Sequence, residues 1–313
     1  MADQDQEKNN ETRVTEFILL GFPGSPRVQM LMFMFFLIMY TLTVLGNASI
    51  IILVTTNRRL HSPMYFFLCN LSFLEVWYTT ASVPKILAIF LGRSRSISFA
   101  GCLLQMYFIL SFGCTEHILL AVMAYDRYLA ICYPLHYHTI MDMSLSGKLA
   151  GGAWLGGFLV VMFPSYLITR LSFCGSNVIN NFFCNIDNWV VLSCTNTSFL
   201  EKTVFVTAIF VIIGSCVVTL LSYVFIISTI VRIPSTEGRK KAFSTCSSHF
   251  AVVIIWYGST VFLFVKPSKQ TALEVNKIVS IFNLIVVPVM NPFIYTLRNK
   301  EVRDVLRNKF HRI

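Results

Sequence analysis

The chain has 313 residues, of which 55% are hydrophobic and only 13% charged, with a mean hydropathy of +0.67. A soluble domain carries about 25% charged residues, so there is too little charge here to coat a water-facing surface of this size. The 28 phenylalanines and modest glycine, proline and cysteine content exclude disorder, collagen-like repeats and a small disulfide scaffold. The net charge of +10 reads as basic loops beside lipid headgroups, with no nucleic-acid partner.

A membrane helix needs roughly 20 mostly apolar residues, and seven segments qualify. Val28–Thr56 has no charged residue, Pro63–Pro84 has only Glu75, and Cys102–Tyr125 has only Glu116. Leu149–Thr169, Thr203–Val231, Ala242–Val265 and Ile278–Leu297 contain no Asp, Glu, Lys or Arg. The expected fold is an all-α membrane protein, a seven-transmembrane helix bundle over 28–297. An extracellular tail, 1–27, precedes it, and a cytoplasmic tail, 298–313, follows with a short amphipathic helix.

An odd number of spans puts the two ends on opposite sides. The N-terminal tail is rich in acids (Asp3, Asp5, Glu7, Glu11, Glu16), whereas Arg298, Lys300, Arg303, Arg307, Lys309 and Arg312 make the C-terminal one basic. Positive charge marks the cytoplasmic side, so the N-terminus is expected outside the cell at the plasma membrane. The acidic start and span-length first apolar run predict no cleavable signal, with the first helix serving as anchor. Asn10-Glu-Thr12 is then a glycosylation sequon on the outer tail, and Asn196-Thr-Ser198 lies in an outer loop.

Cys69, Cys114, Cys132, Cys216 and Cys246 fall in or at the ends of spans, while Cys102, Cys174, Cys184 and Cys194 lie on the outer side. An oxidising compartment favours two disulfides among these four. Three pairings are possible and spacing does not choose between them. No CxxC or nearby His pair supports zinc.

Glu75 and Glu116 are expensive inside a membrane unless paired, protonated or bound to a cation. With Asn47 at matching depth they suggest a sodium site or a proton-sensitive pair. Asn283 and Asn291 add further amides from the last span to that reading; the alternative is a hydrogen-bond network that only locks helices together. His117 and His249 lack an i+4 partner and read as packed polar side chains. Asp126-Arg127-Tyr128 ends the third span: either a solvated boundary pair or a latch, paired in one state and released in another. In Asn291-Pro292-Phe293-Ile294-Tyr295 the proline frees a carbonyl that the asparagine can satisfy, giving a hinge.

Several longer strings carry a family resemblance. They are Gly46-Asn47, Leu60-His-Ser-Pro-Met-Tyr-Phe-Phe-Leu68, Met123-Ala-Tyr-Asp-Arg-Tyr-Leu-Ala-Ile-Cys132 with Tyr133-Pro-Leu-His-Tyr137, and Ser222-Tyr223. Lys241-Ala-Phe-Ser-Thr-Cys246 and Pro288-Val-Met-Asn-Pro-Phe-Ile-Tyr295 complete the set. The sequence resembles the rhodopsin-like (class A) G-protein-coupled receptors, and within them the olfactory receptors. The resemblance implies bridges Cys102–Cys184 and Cys174–Cys194. It implies that Arg127, released from Asp126, faces the G protein with Tyr223 and Tyr295 as active-state partners. It places Glu75 and Glu116 at the acidic positions of a sodium site, where the family usually has Asp in helix two and Glu75 is one methylene longer.

By the same analogy the odorant contacts fall in the outer halves of helices three, five and six. They are Ile109, Leu110, Gly113 and Cys114; Thr207, Ala208 and Val211; and Tyr257, Thr260, Val261 and Phe264. This lining is apolar with isolated hydroxyls and no Arg or Lys, which suits an apolar volatile; helix-against-helix packing is the alternative role for each. Trp256 stands where the family more often has Phe. The implied function is an odorant receptor that activates a heterotrimeric stimulatory G protein and raises cyclic AMP, with membrane lipids as further partners and no cofactor beyond sodium. A transporter lacks support in paired repeats or broken helices. An enzyme lacks HExxH or GxSxG.

Overall fold

A computed structural model describes residues 14–22, 24–174, 176–264, 277–298 and 302. Asn10 and the expected C-terminal amphipathic helix lie outside the described residues, as do the side chains of Phe264 and Tyr295.

Among the described residues the helices run in chain order: α1 (Pro26–Thr56), α2 (Pro63–Thr80), α3 (Val83–Phe90), α4 (Phe99–Cys132), α5 (Tyr137–Ile140), α6 (Met143–Ile168), α7 (Ile186–Leu192), α8 (Ser198–Val231), α9 (Thr236–Phe264) and, after helical residues 277–281 and a π turn at Phe282–Val286, α10 (Val287–Arg298). Among the described residues five helical segments are long and apolar enough to cross a membrane: α1, α4, α6, α8 and Lys277–Ile294. The α2–α3 pair and α9 complete the seven-helix bundle. The α2 stretch is less apolar because it holds Asn70 and Glu75.

Capping explains the helix starts. Pro26 and Pro63 occupy first-turn positions, where a missing N–H costs nothing. Ser98 Oγ accepts from Gly101 N at 3.1 Å and Asp142 Oδ1 from Leu145 N at 2.7 Å, capping α4 and α6. The second span does not stop at Pro84 as expected. Its helix breaks at Ala81-Ser82 and resumes as α3 to Phe90, because Pro84 has no N–H for the carbonyl of Thr80. Gln105 of α4 supports the break, donating to the Ala81 carbonyl at 3.2 Å.

Helix α4 is the central post. Its apolar window is 61% buried, against 11% for α1 and α8, and it packs on α2, α6, α8 and α9. It meets α6 at Gly157, where an added Cβ would lie 2.7 Å from the Thr115 backbone nitrogen and 2.9 Å from its Cα. Tyr107 and Phe158 stack edge to face along the same seam.

The outer end carries a sheet that helical periodicity could not reveal. Strand β1 (Glu16–Leu19) pairs antiparallel with β2 (Ser96–Ser98), Phe17 facing Ile97, and parallel with β3 (Val178–Ile179), Ile18 facing Val178. The expected tail is therefore partly a strand, with Phe17 and Leu19 fully buried. Phe17, Phe99, Phe173 and Trp189 pack ring to ring beneath it, Phe17 and Trp189 at 5.0 Å. Disulfides join Cys102 to Cys184 and Cys174 to Cys194. The first closes a separation of 82 residues, which by loop entropy is worth about 4 kcal/mol. Gln105 Oε1 accepts from Cys184 N at 3.0 Å, so one side chain ties lid, α4 and the α2–α3 break together.

The close seam predicts that Gly157→Ala destabilises the protein by about 1–3 kcal/mol through overpacking. Gly151→Ala, where a Cβ meets nothing within 4 Å, should leave the unfolding temperature unchanged or raised. Thermal unfolding of the two purified variants checks the difference.

Candidate functional site

Above mid-bundle, α4, α8 and α9 present one side each to a shared interior. Ile109 of α4 is buried in the main core, Leu110 packs on the outer aromatic cluster, and Gly113 and Cys114 are half-buried. Nothing lies within 4 Å of a Cβ built on Gly113, so the glycine leaves space on that face. On α8, Thr207, Ala208 and Val211 are half-buried and continue, one helical turn at a time, into buried Ser215 and Thr219. On α9, Tyr257 and Thr260 are buried. Val261 is 46% exposed, on the outward side of α9 with Ile254. Its 100° step from Thr260 turns it toward lipid, which removes it from the expected lining.

Below these residues His117, Trp256 and Tyr78, absent from the sequence-based list of contacts, form a polar aromatic floor with Tyr257. His117 lies 5.4 Å from Trp256 and 5.1 Å from Tyr257, ring to ring, and Tyr78 of α2 stands 6.3 Å from Trp256. The Tyr257 hydroxyl donates to the His117 carbonyl at 3.4 Å and meets Thr219 Oγ1 at 3.5 Å. His117 Nδ1 and Trp256 Nε1 are buried without a hydrogen-bond partner among the described residues. The adjacent Glu116-His117 pair inside an apolar span was the available signal. Lys277, expected only to border the last span, is buried at the outer end, donating from Nζ to Asn180 Oδ1 at 2.9 Å.

At mid-bundle, Asn291 Nδ2 donates to Glu75 Oε1. Asn291 therefore does not satisfy the carbonyl freed by proline, as expected from the local sequence. Pro292 deprives the Pro288 carbonyl of its helical donor, and Asn47 of α1 supplies one, its Nδ2 lying 3.2 Å from Pro288 O and 3.0 Å from Thr43 O. Gly46 permits the approach, since a Cβ there would lie 3.1 Å from Pro292 Cβ. Glu75 Oε2, both Glu116 oxygens, Asn47 Oδ1 and Ser111 Oγ are buried and unpartnered among the described residues.

At the inner end, Asp126 and Arg127 are adjacent and both buried, with Arg127 Nε 3.9 Å from Asp126 Oδ2. Asp126 Oδ1 also accepts from Tyr137 of α5 at 2.7 Å. Burial first, then the Asp126 charge and the bond to it, push the Tyr137 phenol upward, so it remains a donor at neutral pH. The Tyr223 hydroxyl, expected as an Arg127 partner in the active state, here bonds His249 Nδ1 at 2.5 Å and stacks on that ring, linking α8 to α9. Tyr128 packs on Phe225 of α8 at 5.6 Å.

A family model described as olfactory receptor matches residues 36–312. The chain belongs to the olfactory receptor family. The receptor is 62% identical over 301 residues to human Olfactory receptor 6F1, covering 96% of this chain and 98% of that one. It is 60% identical over 291 residues to rat Olfactory receptor 287, covering 93% and 94%. The crystal structure of squid rhodopsin superposes with a TM-score of 0.72 over 92% of this chain and 87% of that one, at 17% identity, which shows the shared fold. The receptor is a multi-pass membrane protein of the G-protein-coupled class, with a small-molecule ligand, a G-protein partner, no enzymatic activity and no cofactor.

The different exposure of Tyr257 and Val261 gives a direct test. In a cyclic AMP response to any activating volatile, Tyr257→Ala and Thr260→Ala should shift half-maximal concentration at least tenfold. Val261→Ala should shift it less than twofold.

Proposed function

We propose that the receptor binds a small, mainly hydrophobic volatile in the outer half of the bundle and activates a stimulatory G protein, raising cyclic AMP. The observation that carries the ligand class is the wall formed by Ile109, Gly113, Ala208 and Val211, apolar save for Thr207, Thr260 and the Tyr257 hydroxyl. Such a site gains affinity from apolar burial, about 25 cal/mol per Å², and orientation from a few hydroxyls.

Tyr257 connects ligand to helix movement. Its hydroxyl holds the α4 backbone at His117 and the α8 side chain of Thr219. A ligand that competes for this hydroxyl favours an arrangement in which α9 is released, and the equilibrium shifts by that differential affinity alone. About two helical turns lower on α9, the Tyr223–His249 bond is the matching tie between α8 and α9. Its loss frees Tyr223 for Arg127 once Arg127 leaves Asp126; Tyr295 is the second proposed partner. The Asp126–Tyr137 bond holds the α4 end against α5 until then. Tyr128, Asn291 and Pro292 belong to the same relay. Glu75, Glu116 and Asn47 each keep a buried oxygen without a partner among the described residues; such oxygen donors suit a hard cation such as sodium, which when bound would offset carboxylate charge.

The lid with its two disulfides belongs in the oxidising exterior. We therefore place the receptor in the plasma membrane with residues 1–27 outside, 28–297 as the receptor domain and 298–313 in the cytoplasm.

Arg127→Ala should abolish the cyclic AMP response while leaving the receptor at the surface, as measured by staining an N-terminal tag on unpermeabilised cells. A full response would refute the relay. His249→Phe keeps the ring stack but loses the bond to Tyr223, and should raise basal cyclic AMP about threefold or more. Unchanged basal signalling would remove that tie from the mechanism.

A further inference from the structure

Outside the bundle interior, a half-open groove of about 780 Å³ lies at the outer end, between the entry to β1, the start of α4 and the segment after α6. Val14, Phe99 and Phe173 give it apolar walls, Ser98 and Ser172 supply hydroxyls, and Arg170 supplies its charge. It is separate from the proposed odorant contacts, none of which lines it.

The guanidinium is held in place. Arg170 Nε and Nη2 donate to the Tyr166 hydroxyl at 3.1 and 2.7 Å, and the guanidinium carbon lies 5.1 Å from the centre of the same ring. A guanidinium has five N–H donors. Two serve Tyr166, and neither the remaining donors nor the charge has a partner among the described residues. A single neutral hydroxyl thus orients a cation without neutralising it.

The groove also sits at a definite depth. Phe163 and Tyr166 lie on an exposed face of α6, Arg170 follows in the turn after that helix, and Leu104 is exposed one turn below Ala100, a groove residue on α4. In a bundle surrounded by lipid these apolar side chains face acyl chains. A tyrosine and an arginine immediately above them lie at the headgroup level. Simple interfacial anchoring accounts for the Tyr–Arg stack, but it requires neither a concavity nor hydroxyls lining it. A ligand that answers charge, hydroxyls and apolar flank together carries an anionic phosphodiester above a hydrocarbon tail. Arginine matches the phosphodiester oxygens in a two-pronged hydrogen bond.

We propose that this groove is a binding site for one outer-leaflet phospholipid, its phosphate on Arg170 and an acyl chain along Phe163 and Leu104. The leaflet follows from the orientation proposed above; the site itself does not depend on odorant binding or coupling. Bound there, the lipid bridges the ends of α4 and α6 beside the disulfide-closed lid. It favours the folded receptor because the unfolded chain has no such site.

The test uses the full-length receptor, purified in detergent and delipidated, with dioctanoyl phosphatidylcholine as probe and native mass spectrometry to count retained lipid. One lipid should bind tightly, at least tenfold less tightly in Arg170→Gln, and unchanged in Arg93→Gln, an exposed arginine outside the groove. Equal retention by wild type and Arg170→Gln would overturn the proposal. Equal retention of dioctanoylglycerol, which lacks the phosphate, would overturn the role of Arg170. Displacement by inorganic phosphate at the lipid's own concentration would make this a free-anion site and overturn the lipid. If Arg170→Gln does not reach the cell surface, Tyr166→Phe decides. It keeps the charge but frees the guanidinium, and should weaken binding at least threefold, whereas unchanged affinity would count against the site.

Discussion

One backbone carbonyl organises the inner half of this receptor. In hydrocarbon an unsatisfied carbonyl costs several kcal/mol, and Pro292 takes away the helical donor that Pro288 would otherwise have. Asn47 replaces it from α1, which requires the close approach that Gly46 allows. Asn291, relieved of that duty, turns to Glu75 on α2. A single covalent fact, the missing N–H of a proline ring, thereby draws α1, α2 and α10 to one point. The π turn at Phe282–Val286 has a related origin: Pro288 offers no N–H to Leu284, and the helix widens just before it.

Around that point α4 acts as the common member of every layer. Its outer end is bonded to the lid through Cys102 and Gln105. Its middle carries Glu116 and His117 beneath the proposed ligand wall, and its inner end carries Asp126 and Arg127. A long helix buried on several sides transmits displacement along its axis better than it absorbs it, because close-packed interiors deform little. The ties that can change are lateral ones, between α4, α8 and α9 at Tyr257 and between α8 and α9 at Tyr223–His249. In the proposed mechanism, rigid post and breakable cross-ties together make a two-state device.

The lid shows a different economy. A three-stranded sheet with a two-residue edge strand would not be stable in water by itself. Here it rests on Phe17, Phe99, Phe173 and Trp189 and is closed by two disulfides. The polar backbone of an otherwise irregular loop is satisfied outside the hydrocarbon, above the helices it covers.

The seven-helix architecture was readable in the sequence because the bilayer imposes its own period: about 20 apolar residues, then a polar break. Asp126-Arg127 and Asn291-Pro292 were readable for the same reason, as costly groups at span ends and centres. The helix lengths were not, because α4 and α8 continue past their apolar windows into water. The strand Glu16–Leu19 was not, since its partners lie about 80 and 160 residues away in a chain whose periodicity is helical. Sequence by itself determined that seven spans, an outer cysteine set and an inner Asp-Arg pair exist. Only tertiary packing decided which side of each helix they meet. That is why Val261 turned out to lipid, Asn47 rather than Asn291 reached the Pro288 carbonyl, and Tyr223 found His249: a hydrogen bond between helices depends on rotation and depth, which no local spacing encodes.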